Sequence, residues 1–341
     1  MSKLAKNSRN LSLDLTRTVA ILLVTVLHAW SMLDINNDSY GWIFYVYRSI
    51  VHCGVPLFVM VSGALLLQKP CSAKLFFAKR FARVLIPFLF WTVPVYIIGV
   101  LTHRYNSIQS FGDACLYFFP YLLQNDIQMY QWFVHMILTL YLLTPLLQRA
   151  LTLSSRHLVL TYLVGWALVL ILQHLYPDIY ALRYVSPLFY FLGIYIAGYY
   201  IYRYISNNSR VWVGAGMAWI AVCAINIALK TRYSCVDAFA TLCLFTFLSK
   251  IPISQQSAIR TGILSMSRYS YTIYLIHVPL ISALYQLLDK FTNGTYTQWA
   301  TPVMSVLPIG AAAIVLAICY IACLIADKCR YVNNNLLGIS K

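Results

Sequence analysis

The sequence contains no glutamate and few charged residues of any kind. All nine acidic residues among the 341 are aspartates, so every mechanism that needs a glutamate is excluded. Only 10% of the residues are charged and 61% are hydrophobic, whereas a soluble domain has about 25% charged and about 45–50% apolar residues. A water-soluble fold of this length cannot bury so much apolar surface. The composition therefore excludes a soluble enzyme, a disordered chain and a secreted disulfide scaffold, and it predicts a polytopic membrane protein.

Motifs for metals and tightly bound cofactors are also missing. The nine cysteines are scattered without a CxxC pair, and no HExxH or similar metal spacing occurs. There is no Walker or dinucleotide glycine pattern either. We therefore expect no metal site and no permanently bound cofactor. A phosphate-bearing cosubstrate would be held by basic side chains, not by a glycine-rich loop.

Long apolar runs, bounded by charged or turn residues, dominate the chain. A membrane-spanning helix needs about 20 apolar residues. The predicted spans are 13–33, 44–67, 82–102, 130–148, 158–176, 184–202, 211–229, 235–249, 264–288 and 301–326. The sequence thus predicts an all-α integral membrane protein of about ten transmembrane helices. We expect a single transmembrane domain over residues 1–341, with short cytoplasmic tails at 1–12 and 327–341.

The net charge of +16 comes from basic residues that lie between the apolar runs. In a soluble protein such a charge would suggest a nucleic-acid partner, but here it follows the positive-inside pattern. With the N-terminus inside, the inner segments hold 18 of the 25 basic residues and the outer segments hold five. We therefore expect both termini in the cytoplasm and no nucleic-acid partner.

The first span carries Asp14, Arg17 and His28. Ionisable side chains inside a membrane are costly and are functional candidates by default. Arg17 and His28 are eleven residues apart, which is about 1100° of helical rotation, so they share one face about 16 Å apart. Arg17 is either a side chain that reaches the interface from a helix end or the partner of an anionic substrate. His28, expected near mid-bilayer, is either a hydrogen-bonded bridge between helices or a general base.

Other polar side chains lie within the predicted second, fourth and ninth spans. Arg48 and His52 are four residues apart and share a helical face, while Pro56 predicts a kink beside a cavity. Arg48 could equally anchor the outer interface. The supporting polar positions in the fourth span are Trp132 and His135, and those in the ninth span are Ser270, Tyr274 and His277. Each of these also fits an interface aromatic or a polar contact between helices.

A basic cluster precedes the third span. Lys79, Arg80 and Arg83 stand at its predicted inner end. They satisfy the positive-inside rule and can contact lipid phosphates. The same cluster also suits a docking site for a phosphate-bearing cosubstrate, because arginine binds phosphate well.

Several segments, in this order and spacing, resemble the membrane-bound acyltransferase 3 family. They are residues 14–28 with their Arg-x10-His pattern, 55–63, 80–87, 141–146 and 270–277. The resemblance implies a bacterial cytoplasmic (inner) membrane enzyme of about ten helices that O-acetylates surface polysaccharide or lipid-linked glycan with cytosolic acetyl-CoA. The chain resembles the stand-alone branch of the family, whose members have no appended hydrolase-like domain. The fourth span departs from the family pattern, since it begins Tyr-Gln-Trp-Phe where a His-Leu-Trp-Phe-like stretch is usual.

By this resemblance His28 is the catalytic histidine and Arg17 its partner. Arg80 and Arg83, with Lys79 beside them, become candidates for binding the CoA phosphates. His28 would either deprotonate the sugar hydroxyl as it attacks the thioester, or accept the acyl group and relay it. A glycan exporter or flippase without acyl transfer is the alternative function. The partners expected are acyl-CoA, a glycan acceptor and the lipid bilayer.

Overall fold

The computed structural model describes residues 10–33, 42–179, 187–230, 233–254, 259–299 and 301–328. Throughout these residues the secondary structure is helical, with no strand. The helices are α1 (Leu11–Ser31), α2 (Trp42–Val51), α3 (Gly54–Leu66), α4 (Ala73–Leu101), α5 (Phe111–Gln124), α6 (Trp132–Leu153), α7 (Arg156–Leu175), α8 (Pro187–Tyr204), α9 (Ser209–Leu229), α10 (Ser234–Lys250), α11 (Arg260–Thr292) and α12 (Thr301–Lys328). Two 3₁₀ turns, Met129–Gln131 and Thr295–Gln298, precede α6 and follow α11. The predicted all-α architecture is confirmed.

Eight stretches within the described residues are long and apolar enough to cross a membrane. They are α1, α2 with α3, α4, α6, α7, α9, α11 and nearly all of α12. The other two predicted spans coincide with α8 and α10, which are shorter helices of 18 and 17 residues. Both pack against other helices of the bundle. The protein is therefore an all-α polytopic integral membrane protein, as its composition predicts.

The second predicted span is divided into two helices. α2 ends at Val51 and α3 begins at Gly54. Pro56 lies in the first turn of α3, where its missing N–H group breaks no helical hydrogen bond. The kink that the sequence predicts at Pro56 is thus a break just before it. Its consequence is that His52 lies between two helices instead of inside one.

Helices α3 and α8 approach each other closely through two glycines. A Cβ atom at Gly63 would overlap the carbonyl group of Tyr195, and one at Gly198 would overlap the carbonyl group of Met60. Small residues allow such backbone contact between membrane helices, where van der Waals packing drives association. The contact holds α8 in the core, where the Tyr195 hydroxyl lies 2.9 Å from Thr144 Oγ1 of α6.

We expect Gly63→Ala to destabilise the bundle by about 1–3 kcal/mol, because the added methyl group forces α3 away from α8. Thermal unfolding of the detergent-solubilised protein measures the effect. Gly214→Ala is the matched control, since a Cβ atom on this glycine of α9 meets no atom within 4 Å. Equal melting temperatures for the two variants would contradict the packing described here.

Helix α1 lies at the centre and positions the functional residues. It packs against α2, α3, α10, α11 and α12. Its first half contacts α11 through Thr18 Oγ1, which donates to the Ile263 carbonyl group at 3.2 Å. Near its end the Tyr285 hydroxyl donates to the Ala29 carbonyl group at 2.8 Å. α1 and α11 therefore run side by side in the same direction.

Candidate active site

Two buried histidines from α1 and α11 meet inside the bundle. The centroids of the His28 and His277 rings are 5.1 Å apart, and the His28 ring lies 4.4 Å from that of Tyr130. His28 is 7% exposed and His277 is fully buried. His28 therefore faces protein side chains and not lipid. It lies in the last turn of α1, about 25 Å along the helix from its start.

The hydrogen bonds of His277 define how its ring is protonated. Its Nδ1 atom lies 2.7 Å from the Tyr274 carbonyl oxygen and 3.1 Å from the Ile273 carbonyl oxygen. Carbonyl oxygens only accept, so Nδ1 carries the proton and, in a neutral ring, Nε2 is an acceptor. Within the described residues, His277 Nε2 and His28 Nδ1 are buried without a hydrogen-bond partner. Such unpaired atoms cost about 1–3 kcal/mol each, which marks the pair as a functional candidate.

A cavity of about 170 Å³ opens where α1, α4 and α11 begin. We call it the arginine cavity. The side chains in its lining that matter here are Arg17, Arg80, Arg83, Arg268, Ser270 and Tyr274. Four guanidinium groups around one cavity favour a ligand with several negative charges, and arginine binds phosphate oxygens in a bidentate manner. The structure thus brings together Arg17, Arg80 and Arg83, which the sequence singled out separately.

Carboxylates already compensate two of these arginines. Arg17 Nη1 lies 3.7 Å from Asp14 Oδ1, and Arg268 Nη2 lies 2.9 Å from Asp327 Oδ1. Asp14 is 2% exposed and accepts a 2.6 Å hydrogen bond from Ser267 Oγ, which joins α1 to α11. It therefore holds Arg17 in place from behind. Within the described part of the chain, Arg80 and Arg83 have no such ion pair.

Aromatic rings lie between the arginine cavity and the two histidines. Tyr274 and Phe133 line the cavity, and their ring centroids are 5.1 Å apart. The Tyr274 ring is also 5.7 Å from the His277 ring, and its hydroxyl donates to the Tyr130 carbonyl group at 2.5 Å. His28 itself does not line the cavity. Tyr274 therefore connects the lining of the cavity with His277, whose ring in turn contacts His28.

A second cavity, of about 460 Å³, lies near the other end of α1. We call it the opposite cavity. Arg48, His52 and Trp132 line it together with Leu27 and Asp237. Arg48 Nη2 lies 3.4 Å from Asp237 Oδ2, and Arg48 Nη1 lies 3.5 Å from His52 Nε2. Leu27 is the chain neighbour of His28. The opposite cavity is thus reached one residue from His28 along α1, and the arginine cavity is reached at Tyr274, whose ring contacts His277.

A comparison with protein families shows the family of the chain. The model of the acyltransferase 3 family, described as an acyltransferase domain, matches residues 10–326. The chain belongs to this family. The acyltransferase 3 match covers every helix described here almost to the end of α12, so both cavities and the histidine pair lie within the family domain. No curated protein and no solved structure matches the chain.

The predicted supporting residues of this acyltransferase do not form one cluster. Asp14 lies behind Arg17, Ser270 and Tyr274 line the arginine cavity, and His277 meets His28. A further set, Arg48, His52 and Trp132, lines the opposite cavity. His135 lines neither cavity and contacts Phe88 instead, with ring centroids 5.8 Å apart. The cluster divides because these residues lie at different heights along their helices.

Lys79 is also separate from the two arginines with which it was grouped. Its side chain is exposed and does not line the arginine cavity. Helical spacing does not predict this separation, because Lys79 is four residues from Arg83 and Arg80 is three, and both spacings share a face. Arg80 and Arg83 line the cavity and Lys79 does not. The packing of α4 against its neighbours therefore decides which of the three side chains turns inward.

Sequence reasoning missed two charged residues of the cavities. Asp237 was not named as a candidate, although it is an acidic residue inside an apolar run, which is itself a signal of function. Arg268 was counted only as an inner positive charge, yet it lines the arginine cavity. Arg268 could have been found from the sequence, because it lies two residues before Ser270 in a segment that was already considered for function.

Proposed function

We propose that this acyltransferase moves an acyl group from acyl-CoA to a hydroxyl group of a cell-surface polysaccharide or lipid-linked glycan. The acyl group that we propose is acetyl. The observation that carries the proposal is a buried histidine pair that lies one side chain beyond a cavity with four arginines. A histidine supplies the base for acyl transfer. The arginines suit a donor that carries several phosphate groups, as CoA does.

The distribution of basic residues supports a direction for the transfer. The positive-inside rule assigns the end where α1 begins to the cytoplasm, so both termini are cytoplasmic and the arginine cavity faces the acyl-CoA pool. We assign the protein to the cytoplasmic (inner) membrane of a bacterium. The acyl group then moves from the cytoplasmic cavity towards the end of α1 at which His28 lies. The glycan approaches from the other side of the membrane.

In the proposed mechanism His28 acts as the general base. It takes the proton of the sugar hydroxyl while the hydroxyl oxygen bonds to the thioester carbonyl carbon. The carbon–sulfur bond then breaks, and CoA leaves as a thiolate that recovers the proton. His277 packs against the His28 ring, with ring centroids 5.1 Å apart, and so restricts the orientation of His28. Alternatively, His28 is acylated first and relays the acyl group to the hydroxyl.

Proton NMR of the surface glycan tests acyl transfer against glycan export. A strain that lacks the gene is expected to make the glycan without its O-acetyl signals, and reintroduction of the wild-type chain restores them. A strain that makes no surface glycan at all would instead favour an exporter or flippase. A deletion strain with unchanged acetyl signals and unchanged glycan would contradict both functions for that glycan.

We expect Arg80→Gln and Arg83→Gln each to raise the KM for acetyl-CoA about tenfold, because each removes a charge-assisted hydrogen bond to a phosphate group. Steady-state transfer of labelled acetyl by the purified protein measures this. Lys79→Gln is the matched control, since Lys79 belongs to the same helix but is exposed outside the cavity. A KM that rises in the Lys79 variant and stays constant in the two arginine variants would contradict the assignment of the donor site.

A further inference from the structure

The two cavities approach each other across a thin partition of side chains. Consecutive residues of α6 line different cavities, Trp132 the opposite cavity and Phe133 the arginine cavity. On α3, Pro56 lines the opposite cavity and Phe58, two residues later, lines the arginine cavity. Leu27, the neighbour of His28, lines the opposite cavity. A ligand in the opposite cavity therefore contacts α1 one residue from His28, at the end of the helix away from the arginine cavity.

The opposite cavity combines aromatic surface with a polar edge. The rings of Trp132 and Phe191 are 5.5 Å apart and tilted by 41°, and together with Tyr190 they form an apolar corner. Trp132 is 39% exposed and lines the cavity. Arg48, Asp237 and other polar groups form the remaining edge. The C–H face of a pyranose ring packs on an aromatic ring while its hydroxyl groups need donors and acceptors, and this lining offers both.

Charge separates the opposite cavity from the arginine cavity. Its lining has one cationic side chain, Arg48, and one carboxylate, Asp237, and these two are paired at 3.4 Å. The pair is nearly neutral as a unit, so it offers little attraction to a phosphate or a uronic acid. It still presents a carboxylate oxygen and guanidinium N–H groups to hydroxyl groups. The volume of about 460 Å³ lies in the range of about 300–1,000 Å³ that is usual for small-molecule sites.

We infer that the opposite cavity is the acceptor site and that it binds an uncharged pyranose, with Trp132 as the stacking surface and the Arg48–Asp237 pair as the hydroxyl-binding edge. This inference rests on the proposed acyl transfer and names the substrate class of its second site. It assigns Trp132 and Asp237 to acceptor binding, and it leaves donor binding to the arginine cavity. Variants at the two sites should therefore alter different Michaelis constants.

The test uses the full-length protein in lipid nanodiscs with labelled acetyl-CoA. The acceptor probes are the methyl glycosides of glucose, galactose and mannose, with methyl glucuronide as the charged comparison. Acetylated glycoside is quantified by mass spectrometry. We expect at least one neutral glycoside to be acetylated with a kcat/KM at least tenfold above that of the glucuronide. Preference for the glucuronide, or no acetylation of any neutral glycoside by protein that labels native membrane glycans, would overturn the inference.

Variants then test the residues. Trp132→Ala is expected to raise the KM for the glycoside at least tenfold and to leave the KM for acetyl-CoA unchanged, while Trp132→Tyr retains most of the affinity. Asp237→Asn should also raise the KM for the glycoside. The side-chain oxygen of asparagine still accepts a hydrogen bond from Arg48 although it carries no charge, which limits the effect on folding. The matched control is Trp212→Ala on α9, because Trp212 lines neither cavity and contacts Phe247. Its constants should match those of the wild type.

Two failures are distinguishable. If the wild-type protein never labels its native membrane glycans from acetyl-CoA, the proposed acyl transfer fails and the acceptor site with it. If it labels them but Trp132→Ala leaves the acceptor KM unchanged, only the acceptor site is wrong. An increase in the acetyl-CoA KM for Trp132→Ala, with no change for the glycoside, would also overturn the assignment.

Discussion

Replacement of His28 by alanine is expected to lower acyl transfer by about 10²–10⁴-fold, because the reaction then lacks its general base. The His28 ring is buried against His277 and Tyr130, so bulk water and surface groups cannot substitute for it. If His28 forms an acyl intermediate instead, the loss should be at least as large. The measurement is transfer of labelled acetyl from acetyl-CoA to membrane glycan by protein purified into nanodiscs, with the amount of folded protein determined for each variant.

His157→Ala is the matched control for this experiment. His157 is exposed near the start of α7 and lies in neither cavity lining, so its variant should transfer acetyl at the wild-type rate. The His28 variant should also retain a melting temperature within a few degrees of the wild type, which separates loss of chemistry from loss of folding. A His28 variant that is folded and fully active would reject the catalytic role.

Arg17→Ala is expected to give the second-largest loss, about 100-fold in kcat/KM for acetyl-CoA. The guanidinium group lines the arginine cavity and is held by the buried Asp14 carboxylate. Its removal takes away a charge-assisted contact to the donor, worth about 1.5–3 kcal/mol. It also breaks the ion pair of Arg17 with the buried Asp14 carboxylate, which can reduce the stability of the fold. Steady-state kinetics with labelled acetyl-CoA and thermal unfolding together measure the two effects.

Arg17→Lys separates charge from shape. Lysine keeps the positive charge near Asp14 but lacks the planar fork of donors that binds phosphate or carboxylate in a bidentate manner. We expect near-wild-type stability and an intermediate kcat/KM. Arg149→Ala is the control, since Arg149 is exposed on α6 and lines neither cavity. If Arg17→Ala lowers the melting temperature but not kcat/KM, Arg17 supports the fold and does not serve the donor.

The sequence predicts the membrane class and the spans because both depend on local composition. Runs of about 20 apolar residues specify spanning helices almost independently of their neighbours. The spacing of Arg17 and His28 likewise follows from the rotation of one helix. The sequence does not show which helices pack against each other. His277 is 249 positions from His28, and their contact depends on how α11 packs against α1.

The structure differs from the sequence-based expectations where helix packing decides which side chains meet. Most faces of these helices are apolar, so the hydrophobic pattern does not tell a helix face that meets protein from one that meets lipid. The supporting polar positions that the sequence singles out therefore lie in different places. Some line one of the two cavities, His277 contacts His28, Asp14 pairs with Arg17, and His135 belongs to none of these sites. Close contacts such as Gly63 with the Tyr195 backbone set these positions. Two glycines at the right heights are too common in membrane helices to reveal such a contact in advance.

Transfer of acetyl across sealed vesicles of known orientation tests the central claim most directly. Everted vesicles, whose cytoplasmic face is outward, receive acetyl-labelled acetyl-CoA that cannot cross the membrane, and the label in glycan is measured. The account predicts labelled glycan with wild-type protein in everted vesicles, none in right-side-out vesicles, and none in everted vesicles with His28→Ala. Equal label with His28→Ala, or label only when acetyl-CoA is supplied to the other face, would contradict it.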